Sequence, residues 1–204
     1  MYKRFIKPCF DVIAGLLCLI IFSPIFIIIT VLLYFANKGK PFFFQDRPGE
    51  NEKIFYIIKF KTMNDRKDLS GDLLPNEARI TKLGIFLRKT SLDEIPQLIN
   101  VIKGDMSIVG PRPLRTHYLP YYTNEERIRH SVRPGITGLA QVSGRNSLNW
   151  EEKLAIDIDY LKNLSLSNDL KIVARTIIKV MGSRDTVYDS SMLDLDQLRK
   201  ESLI

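Results

Sequence analysis

Two adjacent acids, Asp93 and Glu94, are the residues whose types and spacing most directly suggest chemistry. Neighbouring carboxylates repel each other when both are ionised, unless a cation or basic side chains compensate. One interpretation is an aspartyl nucleophile for phosphoryl transfer beside a carboxylate that helps to hold Mg²⁺. The structural alternative is a capping box, in which Ser91 begins a helix and Glu94 reaches back to it. Spacing alone favours the capping box, but the two interpretations are compatible because a helix N-terminus also attracts phosphate.

Three arginines lie beside residues that either restrict or free the backbone. They are Arg112 between two prolines, Arg133 before Pro134-Gly135, and Arg145 after Gly144. Proline fixes the backbone and glycine permits close approach, so such an arginine can be held ready to grip a phosphate with its planar fork. The repetition favours an anion site over rigid loops with solvated arginines. Further candidates for this site are Arg88, Lys59 and Lys61.

Other kinds of site find little support. His117 and His130 lack a metal-ligand pattern, and neither G-x-x-x-x-G-K-[ST] nor G-x-G-x-x-G occurs, so ATP- or NAD-dependent chemistry through those folds is not supported. Two cysteines in or beside an apolar stretch exclude a disulfide framework. A net charge of +7 predicts an anionic partner, which is nucleic acid, acidic lipid or a phosphorylated substrate.

A membrane element is predicted near the N-terminus. The stretch from Val12 to Ala36 has no charged side chain and as one helix would be about 37 Å long, enough to span a bilayer core. Ser23-Pro24 at its middle predicts a kink or break, with the serine hydroxyl satisfying a freed backbone group. Basic residues flank both ends, whereas positive charge marks the cytoplasmic side. A re-entrant helix-break-helix and a kinked single-pass helix remain about equally supported by these observations.

The rest of the chain reads as a mixed α+β domain. Aromatic and β-branched runs predict strands over 42–45 and 54–60, joined by a turn at 47–49. Helical spacing predicts helices over 77–89, 92–102, 119–130, 150–164 and 169–181. The last of these is basic and amphipathic, which suits either an anionic bilayer surface or, somewhat better, a surface helix packed on the core. The predicted domains are a re-entrant membrane helix (1–37), a catalytic domain (38–182) and a loosely held tail (183–204).

Taken in order, the motifs resemble those of the small monotopic phosphoglycosyl transferases, a family of bacterial sugar transferases. The resemblance covers residues 1 to about 181. It is carried by the basic N-terminus, Ser23-Pro24, Arg47-Pro-Gly49, Lys59-Phe-Lys-Thr-Met63, Ser91-Leu-Asp-Glu94, Lys103-Gly-Asp-Met-Ser107, Gly110-Pro-Arg-Pro113 and Arg133-Pro-Gly-Ile-Thr-Gly138.

The resemblance implies transfer of a sugar 1-phosphate from a UDP-sugar to undecaprenyl phosphate, with release of UMP and a requirement for Mg²⁺. It implies that Asp93 is the nucleophile of a covalent phosphosugar intermediate in a ping-pong mechanism, and that Glu94 is associated with the metal. It also implies that the Ser23-Pro24 break makes the N-terminal helix re-entrant. The active site would then lie at the cytoplasmic face of the bacterial inner membrane, where downstream glycosyltransferases are possible partners.

No motif of this sequence identifies the sugar. The closest resemblance suggests N,N′-diacetylbacillosamine 1-phosphate, with galactose, N-acetylgalactosamine and other amino sugars open. Sugar preference is expected in the polar loop 64–74 or in the tail. Leu139 departs from the tryptophan that many members carry, which leaves the catalytic assignments unchanged but affects membrane contact or substrate fit. The rival interpretation is a membrane-tethered basic binding module without catalysis, although paired acids beside arginines argue against a nucleic-acid surface and no nucleic-acid motif is present.

Overall fold

A computed structural model describes residues 1–144, 148–182 and 194–201 of the chain. The α-helices are α1 (Lys7–Ala36), α2 (Asn76–Arg79), α3 (Lys82–Lys89), α4 (Gln97–Lys103), α5 (Asn124–Arg127), α6 (Leu139–Ser143), α7 (Trp150–Lys162), α8 (Leu166–Met181) and α9 (Leu195–Glu201). The strands are β1 (Phe42–Pro48), β2 (Ile54–Phe60), β3 (Ser107–Val109) and β4 (Gly135–Thr137). The architecture is therefore mixed α+β, as predicted.

Helix α1 is apolar and long enough to cross a membrane, which is compatible with a membrane anchor. The predicted break at Ser23-Pro24 is not confirmed, because Pro24 lies inside one helix that runs from Lys7 to Ala36. Proline has no N–H to donate to the carbonyl four residues back. The Ser23 hydroxyl donates to that carbonyl, on Ile20, at 2.7 Å, so the prediction that serine satisfies the freed group is confirmed.

Both halves of α1 contact the rest of the protein. Near its start, Lys7 forms an ion pair with Asp169 of α8 at 2.7 Å. One turn on, the Asp11 carboxylate accepts a hydrogen bond from the Ser107 hydroxyl of β3 at 2.6 Å. Near its end, Ile29 and Leu33 are buried in an apolar cluster with Phe60 and Leu87. The same domain therefore holds the helix at both ends.

The hairpin of β1 and β2 is antiparallel, with Phe42 opposite Phe60 and Pro48 opposite Ile54. The predictions of two aromatic strands are thus confirmed. The turn predicted at 47–49 is wrong, because Arg47 and Pro48 pair with Phe55 and Ile54 inside the hairpin and the turn lies between Pro48 and Ile54. The outer edge of β2 is satisfied by Asn100 of α4, whose amide donates to the Tyr56 carbonyl (2.8 Å) and accepts from the Ile58 N–H (3.0 Å). Asn100 is fully buried, so the polar groups of this edge are paired inside the core.

The short strands β3 and β4 are parallel, with Ser107 opposite Gly135 and Val109 opposite Thr137. Each has three residues, and no strand was predicted for either segment. Val109 joins a buried cluster with Val142 of α6, Tyr160 of α7 and Ile172 of α8. This strand pair brings two candidate segments together, because the segment with Arg112 follows β3 and the segment with Arg133 precedes β4.

Several helix predictions differ from the structure in their boundaries. The predicted helix 77–89 is divided into α2 and α3, because Thr81 is extended and caps α3 by accepting from the Gly84 N–H. The predicted helix 119–130 is a succession of 3₁₀ turns around α5, since Pro120 interrupts it and Thr123 caps a new start. Helices α7 and α8 confirm their predictions closely.

Helix α8 packs on the core, as the better supported alternative predicts, while contact of its exposed side chains with a bilayer stays a prediction. Ile172 is buried against the core, whereas Ile177, Ile178 and Met181 remain more than half exposed. The tail also differs from its prediction over 194–200, since Leu195 is fully buried with Tyr118, Tyr122 and Leu154.

Candidate active site

The acid pair lies in a single 3₁₀ turn, Leu92–Glu94, at the end of α3. Ser91 before it adopts a left-handed conformation (φ 56°) and makes no side-chain capping bond. The capping box favoured from spacing is therefore wrong. The physical reason is competition, because Glu94 is bound by basic side chains that come from other parts of the chain.

Those basic side chains are Lys59 and Arg112. Lys59 of β2 contacts Oε1 of Glu94 at 2.6 Å, and Arg112 contacts the same oxygen at 3.1 Å. The Lys59 and Glu94 side chains are 21% and 18% exposed, while that of Arg112 is 47% exposed. Solvent therefore reaches the guanidinium, whereas the acid and the amine are largely shielded from water, which strengthens their attraction.

The pKa values of the two carboxyls are shifted in opposite directions. Burial and the neighbouring charge of Glu94 raise the pKa of Asp93 to about 6, although Lys59, Arg88 and Arg112 partly offset this. Burial alone would raise the pKa of Glu94 as well, but Lys59 and Arg112 lower it to about 2. At neutral pH both groups are ionised, with Asp93 the more basic and less compensated of the two.

The Arg112 segment is fixed by its neighbours rather than by regular structure. The Gly110 N–H donates to the Thr137 carbonyl (2.9 Å), and the Gly135 N–H donates to the Pro111 carbonyl (3.0 Å). A Cβ atom on Gly135 would collide with the backbone nitrogen of Gly110. Glycine is therefore required where the two segments cross, as the predicted close approach implies.

Arg88 flanks the acid pair from α3. Its Nε donates to the Thr62 hydroxyl at 2.9 Å, and its charge lowers the pKa of Asp93. Thr62 is buried just after β2, so it orients the guanidinium. Asp93, Glu94, Lys59, Arg88 and Arg112 thus form one cluster, drawn from three separate segments.

The remaining candidates are not brought to this cluster within the described residues. Lys61 forms an ion pair with Asp65, which lies in the loop 64–74. Arg133 lies near Glu50, with its Nε 3.6 Å from the carboxylate. Arg145 lies outside the described residues, so its place is not defined.

The residues fit a hard divalent cation at the acid pair. Lys59 and Arg112 both use Oε1 of Glu94, and neither Oε2 nor the Asp93 carboxyl accepts a hydrogen bond among the described residues. Carboxylate oxygens are ligands that Mg²⁺ prefers. Asp93 and Glu94 are therefore suitable metal ligands.

The two histidines lie elsewhere. His117 lies near Asp194 and Asp196, but Arg115 and Lys200 already form ion pairs with these acids. His130 is buried, and burial together with nearby arginines lowers its pKa to about 4, so it is neutral at pH 7.

Sequence reasoning missed two arginines that support the backbone of the Arg112 loop. Arg129 and Arg47 donate to the carbonyls of Arg112 and Pro113 at 2.7 and 3.3 Å, respectively. The sequence marks Arg47 as part of a turn and of a family motif but not as a support for this loop, and Arg129 carries no local signal because its partner Asp157 is 28 residues away.

Comparison with known proteins defines the class. A family model described as bacterial sugar transferase matches residues 2–183. The sugar transferase EpsL of Bacillus subtilis is 49% identical over 179 residues, which is 87% of this chain and 88% of EpsL. The exopolysaccharide production protein ExoY of Rhizobium meliloti is 40% identical, covering 87% of this chain and 86% of ExoY.

A third relative is longer than this chain. The undecaprenyl-phosphate galactose phosphotransferase of Salmonella typhimurium is 39% identical over 91% of this chain but only 42% of its own length. The chain belongs to the bacterial sugar transferase family, as the resemblance of its motifs predicted. It is a phosphoglycosyl transferase.

Proposed function

We propose that this protein transfers a sugar 1-phosphate from a UDP-sugar to undecaprenyl phosphate, releasing UMP and forming an undecaprenyl diphosphosugar. The observation that carries the proposal is the cluster in which Glu94 is bound by Lys59 and Arg112 while Asp93 beside it is not hydrogen-bonded among the described residues. Relatives named for undecaprenyl-phosphate galactose and glucose 1-phosphate transfer support the carrier and the reaction.

In the first step, a carboxylate oxygen of Asp93 attacks the β-phosphorus of the donor, which bears the sugar. The bond between that phosphorus and the oxygen bridging to the α-phosphate breaks, and the oxygen leaves with UMP. Asp93 is ionised at pH 7 even without a metal, because its pKa of about 6 lies below that pH, and the ionised carboxylate is the form that attacks. Arg112 and Arg88 stabilise the charge on the transferring phosphoryl group.

In the second step, a phosphate oxygen of the polyprenyl acceptor attacks the phosphorus held on Asp93. The acyl phosphate bond breaks, the carboxylate is regenerated, and the lipid diphosphosugar forms. Lys59 keeps Glu94 in place throughout, because the contact between them is short and shielded. Glu94 would hold Mg²⁺ together with Asp93, and the metal would supply positive charge for the diphosphate oxygens.

We propose a re-entrant, monotopic placement of α1 at the cytoplasmic face of the inner membrane. Contacts of both helix ends with the same domain support it, as do exposed basic residues before and after the helix. In a background with Cys9 and Cys18 replaced by serine, we expect cysteines at Lys3 and Lys38, both exposed, to react with an impermeant maleimide only from the cytoplasmic side. Labelling from opposite sides would instead indicate a spanning helix.

The donor is best sought among hexose and amino-sugar nucleotides. The relatives are named for galactose, glucose and exopolysaccharide production, which supports an exopolysaccharide pathway. N,N′-diacetylbacillosamine 1-phosphate, suggested by the motifs, stays a prediction. So does an influence of the 64–74 loop on sugar preference.

The test is UMP release from a panel of UDP-sugars with Mg²⁺, with and without undecaprenyl phosphate. We expect continuous release that needs the acceptor, stops with EDTA and favours one sugar. Without acceptor, release should stop near one UMP per enzyme. Absence of release from every donor, together with binding of anionic vesicles, would favour the membrane-tethered binding module.

A further inference from the structure

The loop that carries Arg112 has few means of bracing itself. Pro111 and Pro113 have no N–H groups, so the loop offers carbonyl acceptors and hardly any donors. The Pro111 carbonyl is paired with the Gly135 N–H at 3.0 Å. The next two carbonyls, of Arg112 and Pro113, receive their hydrogen bonds from arginine side chains.

Arg129 supplies the hydrogen bond to the Arg112 carbonyl. Its NH2 donates to this oxygen at 2.7 Å and to Oδ2 of Asp157 at 2.7 Å, while its Nε donates to the same Oδ2 at 3.1 Å. The guanidinium therefore donates three hydrogen bonds, two to the Asp157 carboxylate and one to the Arg112 carbonyl. The side chains of Arg129 and Asp157 are 2% and 5% exposed, so this is a buried ion pair.

A buried ion pair is costly to form, because both charges lose their hydration. It contributes more when it also fixes a neighbouring group. Arg129 does this by holding the main chain of the residue whose guanidinium contacts Glu94. Arg47 adds a second brace through NH1, which donates to the Pro113 carbonyl at 3.3 Å.

The geometry points to Arg129, fixed by Asp157 and assisted by Arg47, as the positioning residue that holds Arg112 in place for the reaction. Neither arginine needs to touch a substrate in this role. The inference rests on the proposed function, since it assigns to Arg112 the grip on the transferring phosphate.

A neighbouring arginine provides a matched control. Arg127 forms an ion pair with Glu52 at 2.7 Å and donates to the Leu119 carbonyl at 2.9 Å. It thus makes the same kinds of bond as Arg129, two residues away, without contacting the Arg112 loop among the described residues. Lysine at either position keeps the charge but cannot bond a carboxylate and a carbonyl with one planar fork.

The test is a double-mutant cycle of Arg129→Lys with Arg112→Ala, measured as kcat/KM. Displacing a group by about 1 Å can cost about 100-fold, so we expect Arg129→Lys alone to lose about 10- to 100-fold. In the Arg112→Ala background the same change should cost less than about threefold, because its target is gone. Arg127→Lys should give similar fractional losses in both backgrounds. An equal loss from Arg129→Lys in both backgrounds would overturn the inference.

A second readout does not depend on turnover. The Nε–H NMR signal of Arg112, assigned by its absence in Arg112→Lys, should shift in Arg129→Lys and remain in place in Arg127→Lys. If the wild-type protein released no UMP, the proposed function would fail while this signal still tested the positioning. Should Arg129→Lys not fold, Arg47→Lys should move the same signal. An unmoved signal in the folded variant would refute the role.

Discussion

Replacing Arg112 by lysine tests whether a planar fork is needed at the acid pair. Arg112 contacts Oε1 of Glu94 at 3.1 Å, and its side chain is 47% exposed to solvent. Lysine keeps the positive charge and part of its attraction to Glu94. It loses the paired N–H groups that bind two phosphate oxygens at once. The backbone is braced at three successive carbonyls, so it cannot shift to compensate.

The expected loss follows from the role of the guanidinium in the transition state. Removing one preorganised donor to a developing charge costs about 3–4 kcal/mol, which is a factor of about 10² to 10³ in rate. The folded state should hardly be affected, because substitutions of half-exposed side chains change stability by about 0.5 kcal/mol. We therefore expect Arg112→Lys to be folded but 10²- to 10³-fold slower.

The assay is initial-rate UMP release with the preferred UDP-sugar, with kcat and KM determined separately. Arg115→Lys is the matched control, since Arg115 is three residues further on, similarly exposed, and paired with Asp194 rather than Glu94. It should retain activity within about threefold. A rate for Arg112→Lys within about fivefold of wild type would refute the argument that the fork grips the phosphate.

Three further predictions concern the charged groups. The pKa of Asp93 is raised to about 6 in the folded protein, so ionising Asp93 lowers the free energy of unfolding as pH rises from about 4 to about 6. The pKa of Glu94 is lowered, so ionised Glu94 raises the free energy of unfolding above about pH 4.5. At pH 7.5 we therefore expect Asp93→Asn to stabilise and Glu94→Gln to destabilise the protein by about 1–3 kcal/mol each in denaturant titrations; shifts of the same sign would contradict this. In the metal-free protein the Asp93 carboxyl should titrate near pH 6 by NMR, and Mg²⁺ bound to it should lower that pKa because a nearby cation favours the ionised form; a pKa that Mg²⁺ does not move would contradict metal binding at the acid pair. Asp11→Ala leaves the Ile108 N–H without its acceptor in a buried network and should cost about 1–3 kcal/mol in thermal unfolding, against about 0.5 kcal/mol for the exposed Asp159→Ala. Equal effects would exclude a structural role for the network.

The parts of the fold that could be predicted are those set by local pattern. The β1–β2 hairpin follows from two aromatic, β-branched runs, and α7 and α8 follow from helical spacing. The strands β3 and β4 are too short for such a pattern. They exist because two segments 28 residues apart cross at glycines, which only the folded chain reveals.

The acid pair shows how distant contacts override a local signal. Ser91 to Glu94 has the spacing of a capping box, but the Glu94 carboxylate pairs with Lys59 and Arg112, and Ser91 is left-handed and makes no capping bond. Residue type was enough to nominate these side chains. Which of these side chains lie together depends on tertiary structure. Lys61 and Arg133 lie near Asp65 and Glu50 instead. The buried pair of Arg129 and Asp157 likewise forms only in the folded chain.

The most direct test of the central claim is to look for the sugar phosphate on Asp93. The protein is mixed with its preferred UDP-sugar and Mg²⁺ without acceptor, quenched, digested and analysed by mass spectrometry. The account predicts a sugar phosphate on the peptide that contains Asp93, lost on addition of undecaprenyl phosphate and absent in Asp93→Asn. Full turnover with no adduct on any peptide, or the same adduct in Asp93→Asn, would contradict the account.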